Sequence, residues 1–171
     1  MKIIFEDTQG LSEKDQKFIN EIVETSILFF EKDGHVSPVM FLLSSKNKTI
    51  NLAPFNFETQ EEKLFKVAAI KEVIPQLGID SILMAMESYM TSDEDAEEFM
   101  NNRDKYPMLA DFPKRKDCIV YSFENSIATW MVSIPVNVGN KEILTDEITF
   151  KRVERSDGLL TNFLGLKNIL Q

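Results

Sequence analysis

Nineteen residues, Cys118 to Val136 (CIVYSFENSIATWMVSIPV), constrain the fold of this chain more than any other stretch. Ile119, Tyr121 and Phe123 alternate with Val120 and Ser122. Ile127, Trp130, Val132 and Ile134 supply a return arm, and Glu124-Asn125-Ser126 is the only polar break. Aromatic and β-branched residues at period two suit a pleated surface with at least one buried face. The stretch is therefore expected to be a hairpin at the centre of an antiparallel sheet.

The flanking sequence is built to match. Lys2–Glu6 reads as a short strand. Ser12 caps a first helix, with Asp15 three residues on in the manner of a capping box. Phe18, Ile19, Ile22, Val23, Ile27, Phe29 and Phe30 give that helix a wide apolar face, and Gly34 stops it. Val36–Leu43 and Thr49–Phe55 form a second hairpin, with Pro38 placed as on an edge strand. Thr59 and Glu62 open a second helix whose expected buried line is Leu64, Phe65, Ala68, Ala69, Val73 and Leu77, ending at Pro75 and Gly78. Ser81–Met90 is apolar up to Glu87 and reads as an interior strand. Ser92 caps a short acidic helix. Residues 101–117 form a long connection, and Ile143–Val153 gives one more strand after a Gly139-Asn140 turn.

The order predicts an α+β fold, with an antiparallel or mixed β-sheet and two main helices packed on one face. At 171 residues, with 43% hydrophobic and 27% charged side chains, the chain is expected to be one domain over residues 1–171. Residues 158–171 form an apolar C-terminal tail that should pack on the domain or on a partner. A single Cys excludes an internal disulfide framework. With no apolar targeting run at the N-terminus, it points to a reducing cytoplasm. No stretch approaches the ~18 consecutive apolar residues of a membrane span.

Charge is concentrated. Residues 58–111 carry 13 acidic and 5 basic side chains, and so supply −8 of the net −9. An acidic chain repels phosphate backbones, so no direct nucleic-acid binding is expected. The carboxylates Asp93, Glu94, Asp95, Glu97 and Glu98 are either a solvated helix face or a docking surface for a basic protein partner.

Three short stretches carry a resemblance. Gly34-His35-Val36-Ser37-Pro38 follows the first helix, Glu87-Ser88-Tyr89-Met90 ends a strand, and Pro113-Lys114-Arg115-Lys116-Asp117 leads into the long hairpin. Over residues 12–136 the chain resembles a group of small uncharacterised bacterial proteins. Many of these have Trp where Tyr89 stands. The resemblance implies a single compact domain and no particular chemistry.

Catalytic candidates are few. His35 is the only histidine, so any triad would need it as base. Cys118 stands beside Lys116, whose charge would favour a thiolate. Glu87 interrupts an apolar strand, where a buried carboxylate would need a partner. Glu124, expected exposed at the hairpin tip, would pair with it for acid–base work. Asp93-x-Asp95-x-Glu97 begins like a calcium loop but has Glu98 where Gly is required and Asp104 where Glu is required. One His and one Cys exclude a structural zinc site. No cofactor motif occurs, so no metal or cofactor is expected.

The sequence thus favours a non-enzymatic protein-interaction module using Asp93–Glu98. The alternative is a small hydrolase or transferase using Glu87 with His35 or Cys118. A homodimer through the Phe-rich first helix and the tail is a further expectation.

Overall fold

The computed structural model describes residues 1–153. The elements in chain order are β1 (Lys2–Phe5), α1 (Glu13–Asp33), β2 (Val39–Ser44), β3 (Thr49–Pro54), α2 (Gln60–Leu77), β4 (Ser81–Met90), α3 (Asp93–Asn101), a single 3-10 turn (Leu109–Asp111), β5 (Lys116–Asn125), β6 (Thr129–Asn137), β7 (Glu142–Ile143) and β8 (Glu147–Val153). They make the expected α+β fold. One mixed sheet runs β1-β8-β6-β5-β4-β2-β3, with the two-residue β7 beside β6. Among the described residues, only β1 and β8 pair in parallel. The apolar tail over 158–171 lies outside the described residues.

The hairpin expected at the centre is there. β5 and β6 pair antiparallel with Phe123 opposite Trp130 and Tyr121 opposite Val132. Its other neighbour is β4, bound through ten consecutive pairs from Ser81–Asn125 to Met90–Lys116. β2 is an interior strand between β4 and β3, so Pro38 does not mark an edge. Pro38 precedes the strand, and its carbonyl accepts the Phe55 N–H at 2.9 Å.

The two main helices do not share a face. Side chains alternate along a strand, so one register sorts them into two sets. Leu43, Leu83, Ala85, Ile119, Tyr121, Phe123, Trp130 and Ile134 pack with Phe18, Ile19, Val23, Ile27 and Phe30 of α1. Met40, Leu42, Ile82 and Met84 point the other way and pack with Val67, Ile70 and Ile74 of α2. Strands β2 and β4 are apolar on both faces, so each face needs its own helix.

Local chemistry sets the helix ends. Ser12 and Asp15 form the reciprocal capping box of α1, and Gly34 closes it in the left-handed region at φ 81°. Gly78 does the same for α2 at φ 62°, and Pro75 lies inside the helix rather than ending it. The buried line of α2 differs from the expected one. Val67, Ile70 and Ile74 are buried, whereas Leu64 and Phe65 are exposed, Phe65 by 75%. The helix is apolar on most of its circumference, so periodicity does not choose a face; packing against β2 and β4 does.

The N-terminal strap is tied to the central hairpin. Trp130 Nε1 donates to the Asp7 carbonyl at 2.6 Å, and Asn125 Nδ2 donates to the Gly10 carbonyl at 2.8 Å. The Tyr121 and Ser26 hydroxyls are hydrogen-bonded across the α1 interface. Burial pushes the Tyr121 phenol up to about 12.

Phe30 and Phe29 are chain neighbours in opposite environments: Phe30 is fully buried and Phe29 is 56% exposed. Phe30→Ala is expected to cost ~3–5 kcal/mol of unfolding free energy. Phe29→Ala should cost under ~0.5 kcal/mol. Urea unfolding followed by the fluorescence of Trp130 measures both, and equal losses would contradict this assignment of the helix face.

Candidate functional site

The catalytic candidates are distributed by strand alternation. Glu87 pairs with Ile119, and Ile119 belongs to the α1 face. Glu124 pairs with Ile82, which belongs to the α2 face. The sheet therefore separates the two carboxylates. Glu124 also lies five residue steps along the strand from Ile119, or about 17 Å at ~3.4 Å per residue. No proton can pass directly between them. Glu124 is not exposed at a hairpin tip as expected: it lies within β5 and is 4% exposed.

Glu87 is exposed, and its Oε1 accepts the Val36 backbone N–H at 2.6 Å. That bond fastens the α1–β2 connection to the end of β4. Polar interruption of an apolar strand thus serves to tie down the buried Val36. His35 is exposed one residue earlier. It stands on the rim of a groove of about 440 Å³ with Asp33, Phe29, Val39, Phe41 and Leu52.

Cys118 is buried at 1% exposure. It pairs with Ser88, one position from Glu87 and so on the opposite face. A crevice of about 110 Å³ at the strand ends borders both residues. Burial, and after it the charge of Asp117, raises the Cys118 thiol to about 11. The lowering expected from Lys116 is not seen: burial and Asp117 both push the thiol the other way. Glu87 thus reaches the residue after His35 through the Val36 N–H, while it borders the strand-end crevice with Cys118, whose position in β5 faces the other side of the sheet.

The acidic helix is built differently from its appearance in the sequence. The Ser92 hydroxyl accepts the Asp95 N–H, and it donates to Asp95 Oδ2 at 2.7 Å. Lys114 Nζ bridges Asp95 Oδ1 at 3.1 Å and Glu98 Oε2 at 2.7 Å. Two of the five carboxylates are therefore engaged internally. Asp93, Glu94 and Glu97 are exposed, and among the described residues no ion pair involves them. Asp93, Glu97 and the exposed Met100 fall at i, i+4 and i+7, along one side of the helix.

The 101–117 connection holds α3 in place. Phe112 is fully buried, with ring centroids 5.4 Å from Phe99 and 5.5 Å from Tyr106. Arg103 lies over the Phe99 ring at 4.9 Å and Arg115 over Tyr89 at 5.1 Å. Neither Phe112 nor the Lys114 bridge was expected from sequence. The signal available was the aromatic spacing Phe99, Tyr106, Phe112 around Pro107 and Pro113. Among the described residues, no group of three or more His, Cys, Asp or Glu side chains is placed to hold a metal ion.

Two expectations follow. Cys118 should resist thiol reagents in the folded protein at about pH 8, where a group titrating near 11 is ~0.1% thiolate, and should react fully once urea unfolds the chain. Rapid labelling of the native protein would contradict its burial. The Lys114 bridge has a defined pH window. The Ser92 hydroxyl and then Lys114 lower the Asp95 carboxyl, while Glu98 and then Asp95 raise Lys114. The Asp95 contribution is complete above the ordinary carboxylate range and is lost as pH falls through the lowered value. The Lys114 contribution is complete below the ordinary lysine range and is lost as pH rises through the raised one. The protection of α3 amides, taken relative to their intrinsic exchange rates, should therefore fall at both extremes in the wild type. In Lys114→Met the alkaline loss of protection in α3 should be absent.

No family model, no curated protein and no solved structure matches this chain.

Proposed function

We propose that this chain is a non-enzymatic protein-interaction module of a reducing, cytoplasmic compartment, and that α3 presents Asp93, Glu94 and Glu97 to a basic partner. The observation that carries this reading is the division of labour on α3. Asp95 and Glu98 are consumed by the Ser92 cap and the Lys114 bridge. The three remaining carboxylates stand exposed on a helix anchored by Phe99 against Phe112. An anchored helix loses little conformational freedom when bound, which favours a charged docking surface. Carboxylates of one sign in one place raise the association rate of a basic partner and make it salt-dependent.

The enzymatic alternative rests on Glu87, which is bonded to the Val36 N–H beside His35 and borders a crevice of about 110 Å³ with Cys118. The buried Cys118 thiol and the separation of Glu87 from Glu124 favour binding over covalent or paired-carboxylate chemistry.

Affinity capture from a lysate of the native cells tests the reading. The tagged full chain should retain a specific partner at low salt and lose it at high salt. The triple variant Asp93→Lys, Glu94→Lys, Glu97→Lys should lose it at both. Capture indifferent to salt and to charge reversal would exclude the acidic surface. Retention of Lys114→Met binding at reduced affinity would show that the bridge positions α3 and does not itself contact the partner.

A further inference from the structure

The sheet ends at β3, and nothing described pairs with its outer edge. Which backbone groups that edge offers follows from one bond. Phe55 N–H donates to the Pro38 carbonyl, so residues 55 and 38 form a hydrogen-bonded pair. In the same register 53 opposes 40, 51 opposes 42 and 49 opposes 44. The odd-numbered residues of β3 therefore bond inward to β2. Ile50 and Leu52 turn both N–H and C=O outward. Pro54 turns out a carbonyl alone, having no N–H.

Side chains on this edge are as unprotected as its backbone. Ile50 is 57% exposed and Leu52 is 65% exposed. They pair with Leu43 and Phe41, which places both on the α1 face, next to the groove that Phe29 borders. A lone sheet edge is ordinarily blunted by an inward charge, a bulge or a covering element. Among the described residues, the middle of β3 has none of these.

The charges at the two ends of β3 are of opposite sign. The turn before it carries Lys46 and Lys48, and Lys14 lies beside them in the adjoining groove. After Pro54 come Glu58, Glu61 and Glu62, all exposed. The lysines near that acidic end are engaged locally: Lys66 bonds the Asn56 carbonyl and Lys63 lies over the Phe57 ring. The nearby Glu21 is paired with Lys17 at the basic end. An antiparallel copy of this edge lays each basic end against an acidic one.

We infer that β3 is a homodimer edge, pairing antiparallel with β3 of a second copy about a two-fold axis at Asn51. The register is restricted. Centred on Asn51, Ile50 opposes Leu52 of the second copy, and each residue exchanges both backbone bonds. Centred on Leu52, Pro54 opposes Ile50 inside the ladder and returns no N–H, whereas centred on Asn51 it opposes Lys48, beyond the Ile50–Leu52 pairs. Centred on Ile50, it calls on Lys48, which is in the left-handed region at φ 54° and cannot extend the strand. In the Asn51 register Lys46 and Lys48 reach across to residues 54–58 of the second copy. Ile50 and Leu52 stack with their counterparts on the α1 face. The result is one sheet continuous across two chains, with isologous symmetry. The surface is separate from α3, so it stands or falls independently of the docking reading.

Sedimentation or light scattering of the full chain over a dilution series tests it. The wild type should have twice the monomer mass at high concentration and fall toward monomer on dilution. Leu52→Pro removes an N–H that the monomer does not use, and Leu52→Lys adds a charge to an exposed position. Both should be monomeric, and Leu52→Lys should keep the far-UV spectrum of the wild type. The pair Lys46→Glu, Lys48→Glu should weaken dimerisation by about tenfold or more, and adding Glu58→Lys and Glu61→Lys should recover it. Amide exchange at Ile50 should be protected in the wild type and fast in Leu52→Lys. A wild type monomeric at every concentration, or a dimer that survives Leu52→Lys, overturns the inference. Charge reversal at Asp93, Glu94 and Glu97 should leave the mass unchanged.

Discussion

Ten consecutive cross-strand pairs join β4 to β5, and the alternation they impose governs most of the molecule. A strand offers its side chains to two faces in turn, and here both faces of the central strands are apolar over much of their length. Each face must then be covered. Helix α1 takes one set, around Leu83, Ile119, Tyr121 and Phe123, and α2 takes the other, around Ile82 and Met84. A slip of one residue between β4 and β5 would send Tyr121 and Phe123 to the wrong helix, so this register is strongly specified.

The same alternation decides what chemistry the sheet can support. Glu87 and Glu124 lie on different faces, and Cys118 lies on the face away from Glu87. Their separation follows from which strand positions are odd and which are even. Glu87 then takes a structural duty, accepting the Val36 N–H, where the chain leaves α1 for the sheet. Unused donors on a buried connection are costly, and a carboxylate is a strong acceptor for one.

Outside the sheet, position is set by charge and aromatic packing together. The residues between α3 and β5 are irregular in backbone yet hold Phe112 in full burial. With Phe112 fixed, Lys114 reaches two carboxylates of α3 and leaves three facing outward. The sheet's edges are treated unequally. β1 is buttressed by parallel pairing with β8 and by the strap that reaches Trp130. β3 carries exposed Ile50 and Leu52 and an outward backbone.

The sequence by itself determined the local elements. Alternation marked the β5–β6 hairpin, and a run apolar on both faces marked β4. Ser12, Thr59 and Ser92 marked the helix starts, and Gly34 and Gly78 marked the ends of α1 and α2. These are local signals, carried by backbone chemistry within a few residues. Tertiary structure alone decided the rest. It put α1 and α2 on opposite faces, because a face is chosen only once strands are neighbours. It chose Val67, Ile70 and Ile74 as the buried line of α2, a helix apolar on most sides. It buried Glu124, which was expected at an exposed tip, and decided the environment of Glu87, which the sequence left open, as exposed. It also turned five adjacent carboxylates into two that are bridged and three that are exposed, because Lys114 lies in a different element and reaches α3 only in the folded chain.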